Sequence, residues 1–342
     1  MKIQLRNFHI LFTAVVFILF TLMNVLQADQ ISVSLLVSLI LFGLLIFTLV
    51  SMSDPKVVDA LQRRFGNNLL SALIPLTGLF IITIGYLILL NGLTPSGVMM
   101  SFLYLYIPAL LLWYDRQNDQ IMTWINLISI LIVWLFIELG LVPNVSIPQD
   151  GGVSFFLLIA LNSIVYSFLI IRKLDTMGYR LQPNKDDWKH SCIYLGLFIA
   201  FFAIPIGFPT GFIHQTTNWS PLWQFPIILL GIFLFTGLPE ELLFRGLIHN
   251  LLAARFNNTS PLFILFFSSI IFGFAHINNN DPPFVYVHLF GNEFPIPWAY
   301  IILSSIAGWF YGLAYIRTGS ILAPAILHAM VDGWWVYFFN PN

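Results

Sequence analysis

Long apolar runs constrain this chain more than any other feature, because a helix needs about 20 apolar residues to cross the ~30 Å hydrocarbon core of a bilayer. Only 8% of the residues are charged, whereas soluble domains have about 25%. Short polar or turn-forming stretches separate eleven apolar runs, which are residues 8–26, 31–52, 69–90, 98–114, 121–141, 153–171, 191–208, 222–252, 261–276, 298–316 and 320–339. The sequence therefore predicts an all-α fold, a polytopic transmembrane helix bundle of about eleven spans.

The distribution of positive charge predicts how these spans are oriented. With the N-terminus in the cytoplasm and the spans alternating, all 14 Lys and Arg residues fall on the cytoplasmic side. The charged residues of the outer loops are then all acidic, namely Asp29, Asp150, Asp281 and Glu293. The net charge of −1 offers no basis for nucleic-acid binding. The apolar spans make membrane lipid an expected partner. The single cysteine, Cys192, excludes an internal disulfide.

One cytoplasmic segment, residues 172–190, is more polar than the others and predicts a domain boundary. The six spans before it, within residues 1–171, form an N-terminal transmembrane bundle that has almost no internal ionisable groups and no evident role. The five spans within residues 191–342 carry the ionisable side chains, and a site is therefore expected there.

The stretch GLPEELLFRG places three charged side chains inside an apolar run, where each costs about 2.5–3.5 kcal/mol on insertion scales. Glu241 and Arg245 are four residues apart, so they share one helix face and can form an ion pair. Glu240 lies about 100° away around the helix and has no cation on its own helix. It needs a partner from another helix, a water or a proton, which makes it the stronger candidate for a functional carboxylate. Gly237 and Pro239 predict a kink or break just before it.

Three histidines of the C-terminal spans are candidates for the site. His276 ends the span 261–276, and His328 shares a helix face with Asp332, four residues later. Taken alone, each is typical of a packed core histidine. Asn258, in the turn between two spans, is midway in sequence between Glu240 and His276, so an antiparallel hairpin sets those two at the same height. His249 lies opposite Glu240 on its helix and is excluded from the same site. The depth of the site in the bilayer stays open.

Together these residues form three motifs on consecutive C-terminal spans. EELLFR is an E-E-x-x-x-R motif, FGFAH an F-x-x-x-H motif that joins Phe272 to His276, and HAMVD an H-x-x-x-N/D motif that joins His328 to Asp332. In this order they resemble the family of CAAX prenyl endopeptidases and bacteriocin-processing enzymes, also called the Abi family. The resemblance covers roughly residues 190–340.

This resemblance implies an intramembrane endopeptidase of the glutamic type that hydrolyses a peptide bond of a membrane-associated protein or peptide. Glu240 and His276 would activate a water, while His328 and the residue at position 332 would stabilise the oxyanion. Glu241, Arg245 and Phe272 would support the site. The family includes enzymes that process prenylated C-terminal CAAX tails, so CAAX-type processing of a lipid-modified substrate is one expected form of the activity.

Position 332 leaves the chemistry open, because an Asn can donate to an oxyanion whereas an ionised Asp cannot. Asp332 must then be protonated or orient His328 instead. The expectation is a reaction without a cofactor. The alternative is zinc, since Glu240, His276, His328 and Asp332 are acceptable zinc ligands, although no H-E-x-x-H motif is present.

Two functions outside proteolysis stay open on the residues alone. Buried Glu, His and Asp side chains beside a broken helix are also typical of proton-coupled transporters, although no inverted repeat is apparent. A catalytically silent scaffold that keeps the fold for binding is the other alternative.

Overall fold

The computed structural model describes residues 8–28, 30–118, 122–148, 153–214, 221–289 and 291–339. The chain divides into two units, Met1–Asp175 and Thr176–Asn342. Four residues that the orientation argument uses, Lys2, Arg6, Asp29 and Asp150, lie outside the described residues. The domain roles predicted for residues 1–171, 172–190 and 191–342 stay predictions.

Helices make up nearly all of the first unit. They are α1 (Phe8–Gln27), α2 (Val33–Ser51), α3 (Pro55–Phe65), α4 (Leu69–Leu89), α5 (Pro95–Asp115), α6 (Trp124–Glu138) and α7 (Phe155–Ile171), with a short hairpin of β1 (Ser146–Ile147) and β2 (Val153–Ser154) before α7. The polar residues between the apolar runs serve as caps. Asn68, Thr94 and Thr123 each accept a hydrogen bond from a backbone N–H in the first turn of the next helix, which satisfies a donor that the helix leaves unpaired.

One buried polar network joins three helices of this unit. The Asp115 carboxylate lies 3.3 Å from Nε of Arg172 and accepts a hydrogen bond from the Thr123 hydroxyl at 2.7 Å. Asn126 Oδ1 accepts a hydrogen bond from the same Nε at 3.4 Å. Both charges are almost fully buried, and each is therefore neutralised inside the bundle, as buried charges require.

The second unit contains α8 (Lys185–Thr210), α9 (Leu222–Arg255), α10 (Pro261–Phe274), a hairpin of β3 (Val285–Leu289) and β4 (Asn292–Ile296), α11 (Trp298–Thr318) and α12 (Leu322–Phe338). Its core consists of aromatic and small apolar side chains from α8 to α12, among them Phe244, Phe272, Tyr311 and Leu327. The hairpin connects α10 directly to α11.

Each of the eleven predicted spans corresponds to a helix, which confirms the all-α polytopic fold class. Within the described residues, seven helices are long and apolar enough to cross a membrane. These are α1, α2, α4, α5, α8, α9 and α11. The other four helices that correspond to predicted spans are shorter, with 14 residues in α10 and 17 in α12. These four are α6, α7, α10 and α12. Helix α3 was not predicted, because its eleven residues are amphipathic and none of them is buried.

Of the kink or break expected near Gly237 and Pro239, the break is wrong, and the kink stays a prediction. Helix α9 is continuous from Leu222 to Arg255, and Gly237 has helical dihedral angles. Two wider, π-helical segments, Phe233–Gly237 and Leu242–His249, flank Pro239 instead. A wider turn makes room for the proline ring and its missing N–H without ending the helix. Gly237 is needed for packing, because a Cβ there would lie 2.9 Å from the Ala325 carbonyl oxygen of α12.

Candidate active site

Three segments of the second unit bring their polar side chains to one place. Helix α9 contributes Glu240, Glu241 and Arg245, and the turn after α10 contributes His276. Helix α12 contributes His328 and Asp332. The structure thus brings together the four residues that the sequence analysis takes as catalytic.

Glu240 lies between the two histidines. Its Oε2 is 3.7 Å from Nε2 of His276 and 3.9 Å from Nε2 of His328. Both distances exceed a normal hydrogen bond, and Oε2 is buried with no hydrogen-bond partner among the described residues. A buried carboxylate oxygen without a donor is costly, so this atom is suited to receive a proton or a hydrogen bond from a small molecule.

His276 has a defined tautomer when it is neutral. Its Nδ1 lies 2.9 Å from the Phe272 carbonyl oxygen, which can only accept, so Nδ1 carries the hydrogen. The lone pair is then on Nε2, the nitrogen that faces Glu240. The Tyr300 ring stacks on the imidazole with centroids 5.2 Å apart and planes at 24°, which holds the ring in that orientation. Nε2 of His276 and Oε2 of Glu240 are therefore two acceptors that face each other.

His328 contacts carboxylate oxygens through both ring nitrogens. Nδ1 is 2.9 Å from Glu241 Oε1, and Nε2 is 3.3 Å from Asp332 Oδ2. A doubly protonated ring would satisfy both contacts, since an imidazolium donates from both nitrogens. The Tyr311 ring stacks on His328 with centroids 4.6 Å apart, and His328 itself is 3% exposed. Of the roles that the sequence left open for Asp332, this geometry favours that of orienting His328.

Glu241 and Arg245 form the ion pair that their spacing predicts, and each of them also contacts another helix. Arg245 Nη1 donates to Glu241 Oε1 at 3.0 Å, while Nη2 donates to the Gly308 carbonyl oxygen of α11 at 2.7 Å. The guanidinium lies 4.5 Å from the centroid of the Phe272 ring, a cation–π distance. Both charged side chains are buried. Because Glu241 also contacts His328, the pair joins α9 to α11 and α12.

Phe272 packs between the two histidines. Its ring centroid lies 4.9 Å from that of His276 and 5.8 Å from that of His328, and the ring is 1% exposed. His249, which the sequence excluded from the site, is buried and contacts the Ser268 hydroxyl of α10 at 3.1 Å.

Sequence reasoning missed the contribution of α11. Tyr300 and Tyr311 cover the two histidines, and Gly308 supplies the carbonyl that Arg245 binds. A Cβ at Gly308 would lie 2.9 Å from the Phe272 ring, so only glycine fits there without a shift. Gly308, Tyr311, Gly312 and Tyr315 have the i, i+3, i+4, i+7 spacing of one helix face, and that pattern was the available signal.

The arrangement of the donor atoms bears on the zinc alternative. Within the described residues, no group of three or more His, Cys, Asp or Glu side chains is arranged to hold a metal ion. The choice between a reaction without a cofactor and one with zinc stays a prediction.

The family model of the type II CAAX prenyl endopeptidases, Rce1-like, matches residues 221–334. This match confirms the resemblance that the three motifs carry, and at the family level it indicates a CAAX-type intramembrane endopeptidase that acts on a membrane-associated peptide or protein. With the seven apolar helices, it identifies an integral membrane protein. No curated protein and no solved structure matches the chain significantly.

Proposed function

We propose that this protein is a glutamic-type intramembrane endopeptidase that cleaves near the C-terminus of a lipid-modified substrate. The observation that carries the proposal is the Glu240 carboxylate oxygen, which is buried without a hydrogen-bond partner among the described residues and lies 3.7 Å from Nε2 of His276. Two facing acceptors fit a water molecule, because a water can donate one hydrogen to each of them.

In the proposed reaction the water loses a proton to Glu240 as its oxygen attacks the scissile carbonyl carbon. A carbon–oxygen bond forms, and the carbonyl electron pair moves to the oxygen. When this tetrahedral intermediate collapses, the carbon–nitrogen bond breaks, and the proton passes from Glu240 to the leaving amine. A positioned general base of this kind contributes about 10²–10⁴-fold to the rate.

His328 would donate from Nε2 to the oxyanion, a form of stabilisation that is often the largest single contribution to catalysis. Its contact with Glu241 at Nδ1 fixes the ring and orients Nε2. Asp332, 3.3 Å from Nε2, would hold the ring until the substrate oxygen arrives. No step needs a metal ion.

The test is cleavage of an internally quenched peptide with a farnesylated CAAX tail by the full-length protein in proteoliposomes. Glu240→Gln removes the base but keeps the shape of the side chain, so turnover should fall by at least about 100-fold. The thermal unfolding temperature in detergent should stay near that of the wild type. Glu293→Gln is the matched control, because its carboxylate is exposed in the hairpin.

Three results would contradict the proposal in different ways. Wild-type turnover in Glu240→Gln would remove Glu240 as the base. Loss of activity with 1,10-phenanthroline, restored by zinc, would establish the metal-dependent version. If the wild type cleaves neither the farnesylated peptide nor its unmodified form, while ion flux across the vesicles depends on Glu240, the protein is a transporter.

A further inference from the structure

The β3–β4 hairpin is a two-stranded sheet with no further strand paired to it among the described residues. Val285, Tyr286 and Phe294 are about half exposed. Two strands alone are marginal in stability, and a row of unpaired backbone groups on an edge strand is a template for pairing with another chain. The hairpin therefore presents edges that a third strand can extend.

The two edges differ because of Pro295. Pro295 lies opposite Tyr286 and has no N–H, so this pair exchanges no hydrogen bonds. Bonded and non-bonded pairs alternate in an antiparallel sheet, so His288 and Glu293 also form a non-bonded pair. In such pairs the backbone groups point away from the partner strand. The outer edge of β3 thus offers the N–H and C=O groups of Tyr286 and His288, whereas Pro295 interrupts the outer edge of β4.

Both ends of the hairpin are linked along the chain to the candidate active site, because β3 begins nine residues after His276 and β4 ends four residues before Tyr300. On the β3 side, the Asn279 N–H donates to the His276 carbonyl oxygen at 3.1 Å. On the β4 side, α11 brings Tyr300 over the His276 imidazole. The Tyr300 hydroxyl and the Asn279 side chain form a hydrogen bond, which ties the two sides together. The hairpin is therefore joined on both sides to residues that position the His276 imidazole, the group that faces Glu240.

We propose that the outer edge of β3 binds an extended segment of the polypeptide substrate as a third strand and delivers it to the active site. This inference rests on the proposed endopeptidase function. A peptide bond inside a helix is shielded by the helix itself, whereas a strand exposes its carbonyls to attack. Strand addition gives affinity through main-chain hydrogen bonds, with little demand on the side chains. The protein would accordingly select substrates by their ability to unwind beside the hairpin.

A polypeptide fits this edge better than lipid does. Acyl chains have neither donors nor acceptors, so lipid packed against β3 would leave the outward groups of Tyr286 and His288 unpaired and shielded from water, which is costly. The exposed apolar side chains of Val285, Val287 and Phe294 lie on the other face of the strands from Tyr286. They can cover apolar side chains of the added strand.

The experiment compares two proline variants of the full-length protein in proteoliposomes. Tyr286→Pro removes an outward N–H from the edge of β3, while Glu293→Pro removes one from the edge of β4. Loss of one or two strand hydrogen bonds should raise KM for the farnesylated peptide about 3- to 10-fold in Tyr286→Pro and leave kcat within about 2-fold. Glu293→Pro and Tyr286→Phe, which keep the β3 edge intact, should retain the wild-type KM.

The outcomes separate this inference from the proposed function. If the wild type does not cleave the peptide, the proposed function fails first. If it cleaves, an equal change in KM in both proline variants assigns the effect to a damaged hairpin and overturns the β3 edge. An unchanged KM in Tyr286→Pro overturns it as well. A third result would also overturn it. If only Val287→Ser raises KM, and if it does so by weakening the affinity for phosphatidylcholine–phosphatidylglycerol vesicles, the surface binds lipid.

Discussion

Glu240 and Glu241 are neighbours in sequence, yet their carboxylates have different surroundings. Glu241 is fully buried, and its Oε1 contacts both Arg245 and His328, whereas its Oε2 and the Oε2 of Glu240 have no hydrogen-bond partner among the described residues. The difference arises from the helix period, which turns adjacent side chains about 100° apart. One carboxylate is therefore committed to holding the helices together, and the other stays available for chemistry.

Glu241→Gln tests the structural half of this pair. Gln keeps a carbonyl oxygen but loses the charge, so the buried Arg245 guanidinium would lack its counterion. Removing one member of a buried ion pair costs about 3–5 kcal/mol, and the free energy of unfolding should fall by that order. Reversible unfolding in mixed detergent micelles measures it, with the exposed Glu293→Gln as control. Equal stability of the two variants would mean that Arg245 is satisfied by Gly308 alone.

The sequence was sufficient to predict the charged members of the site but not the aromatic ones. Glu240, His276, His328 and Asp332 are conspicuous because ionisable groups are rare in apolar spans. Tyr300 and Tyr311 are not, since 16% of the chain is aromatic and a ring that stacks on histidine resembles any ring that faces lipid. Their contribution depends on which face of α11 meets α10 and α12, and that is decided by packing.

At the scale of elements, close helix approach positions His276. A Cβ at Gly273 of α10 would clash with the Ser305 hydroxyl and would lie 2.7 Å from the Ile301 carbonyl oxygen of α11. Only glycine permits this approach, which sets the end of α10 against Tyr300. His276 comes less than one turn after Gly273, so its place beside Glu240 depends on that contact.

Gly273→Ala and Gly231→Ala should therefore change stability in opposite directions. A Cβ at Gly231 of α9 meets nothing within 4 Å, so alanine there should stabilise the helix by about 0.5–1 kcal/mol. At Gly273 the same change overpacks the interface and should cost about 1–3 kcal/mol. Thermal unfolding compares the two, and Gly273→Ala should also lower kcat. Similar effects of both substitutions would show that α10 and α11 can separate without cost.

For the whole molecule, length and apolar character were enough to predict the helical class and the eleven segments. They could not predict α3, whose helix is short and amphipathic, nor the continuity of α9 through Pro239. A search for long apolar runs passes over α3, although Asp54 caps it and Pro55 begins it, while the continuity of α9 depends on the turns around Pro239. Proline usually ends a helix in isolation, but two π-helical segments beside it let the backbone continue.

The predicted orientation can be checked with single cysteines on a Cys192→Ser background, since Cys192 is the only cysteine. Glu293 and Asp186 are both exposed. By the positive-inside rule, Glu293→Cys should react with an impermeant maleimide on intact cells, and Asp186→Cys should react only after permeabilisation. The reverse labelling pattern would invert the topology and place the hairpin on the cytoplasmic side.

The two π-helical segments of α9 make the site dependent on residue count as well as on residue identity. Each segment contains a wider turn than a regular helix, and that turn accommodates an extra residue. The direction in which every later side chain points therefore depends on the number of residues in the segment. Deleting one residue within Leu242–His249 while the wide turns persist would rotate the later side chains of α9 by roughly 100°. The spacing of this segment should thus tolerate substitutions far better than insertions or deletions, even at positions that touch nothing in the site.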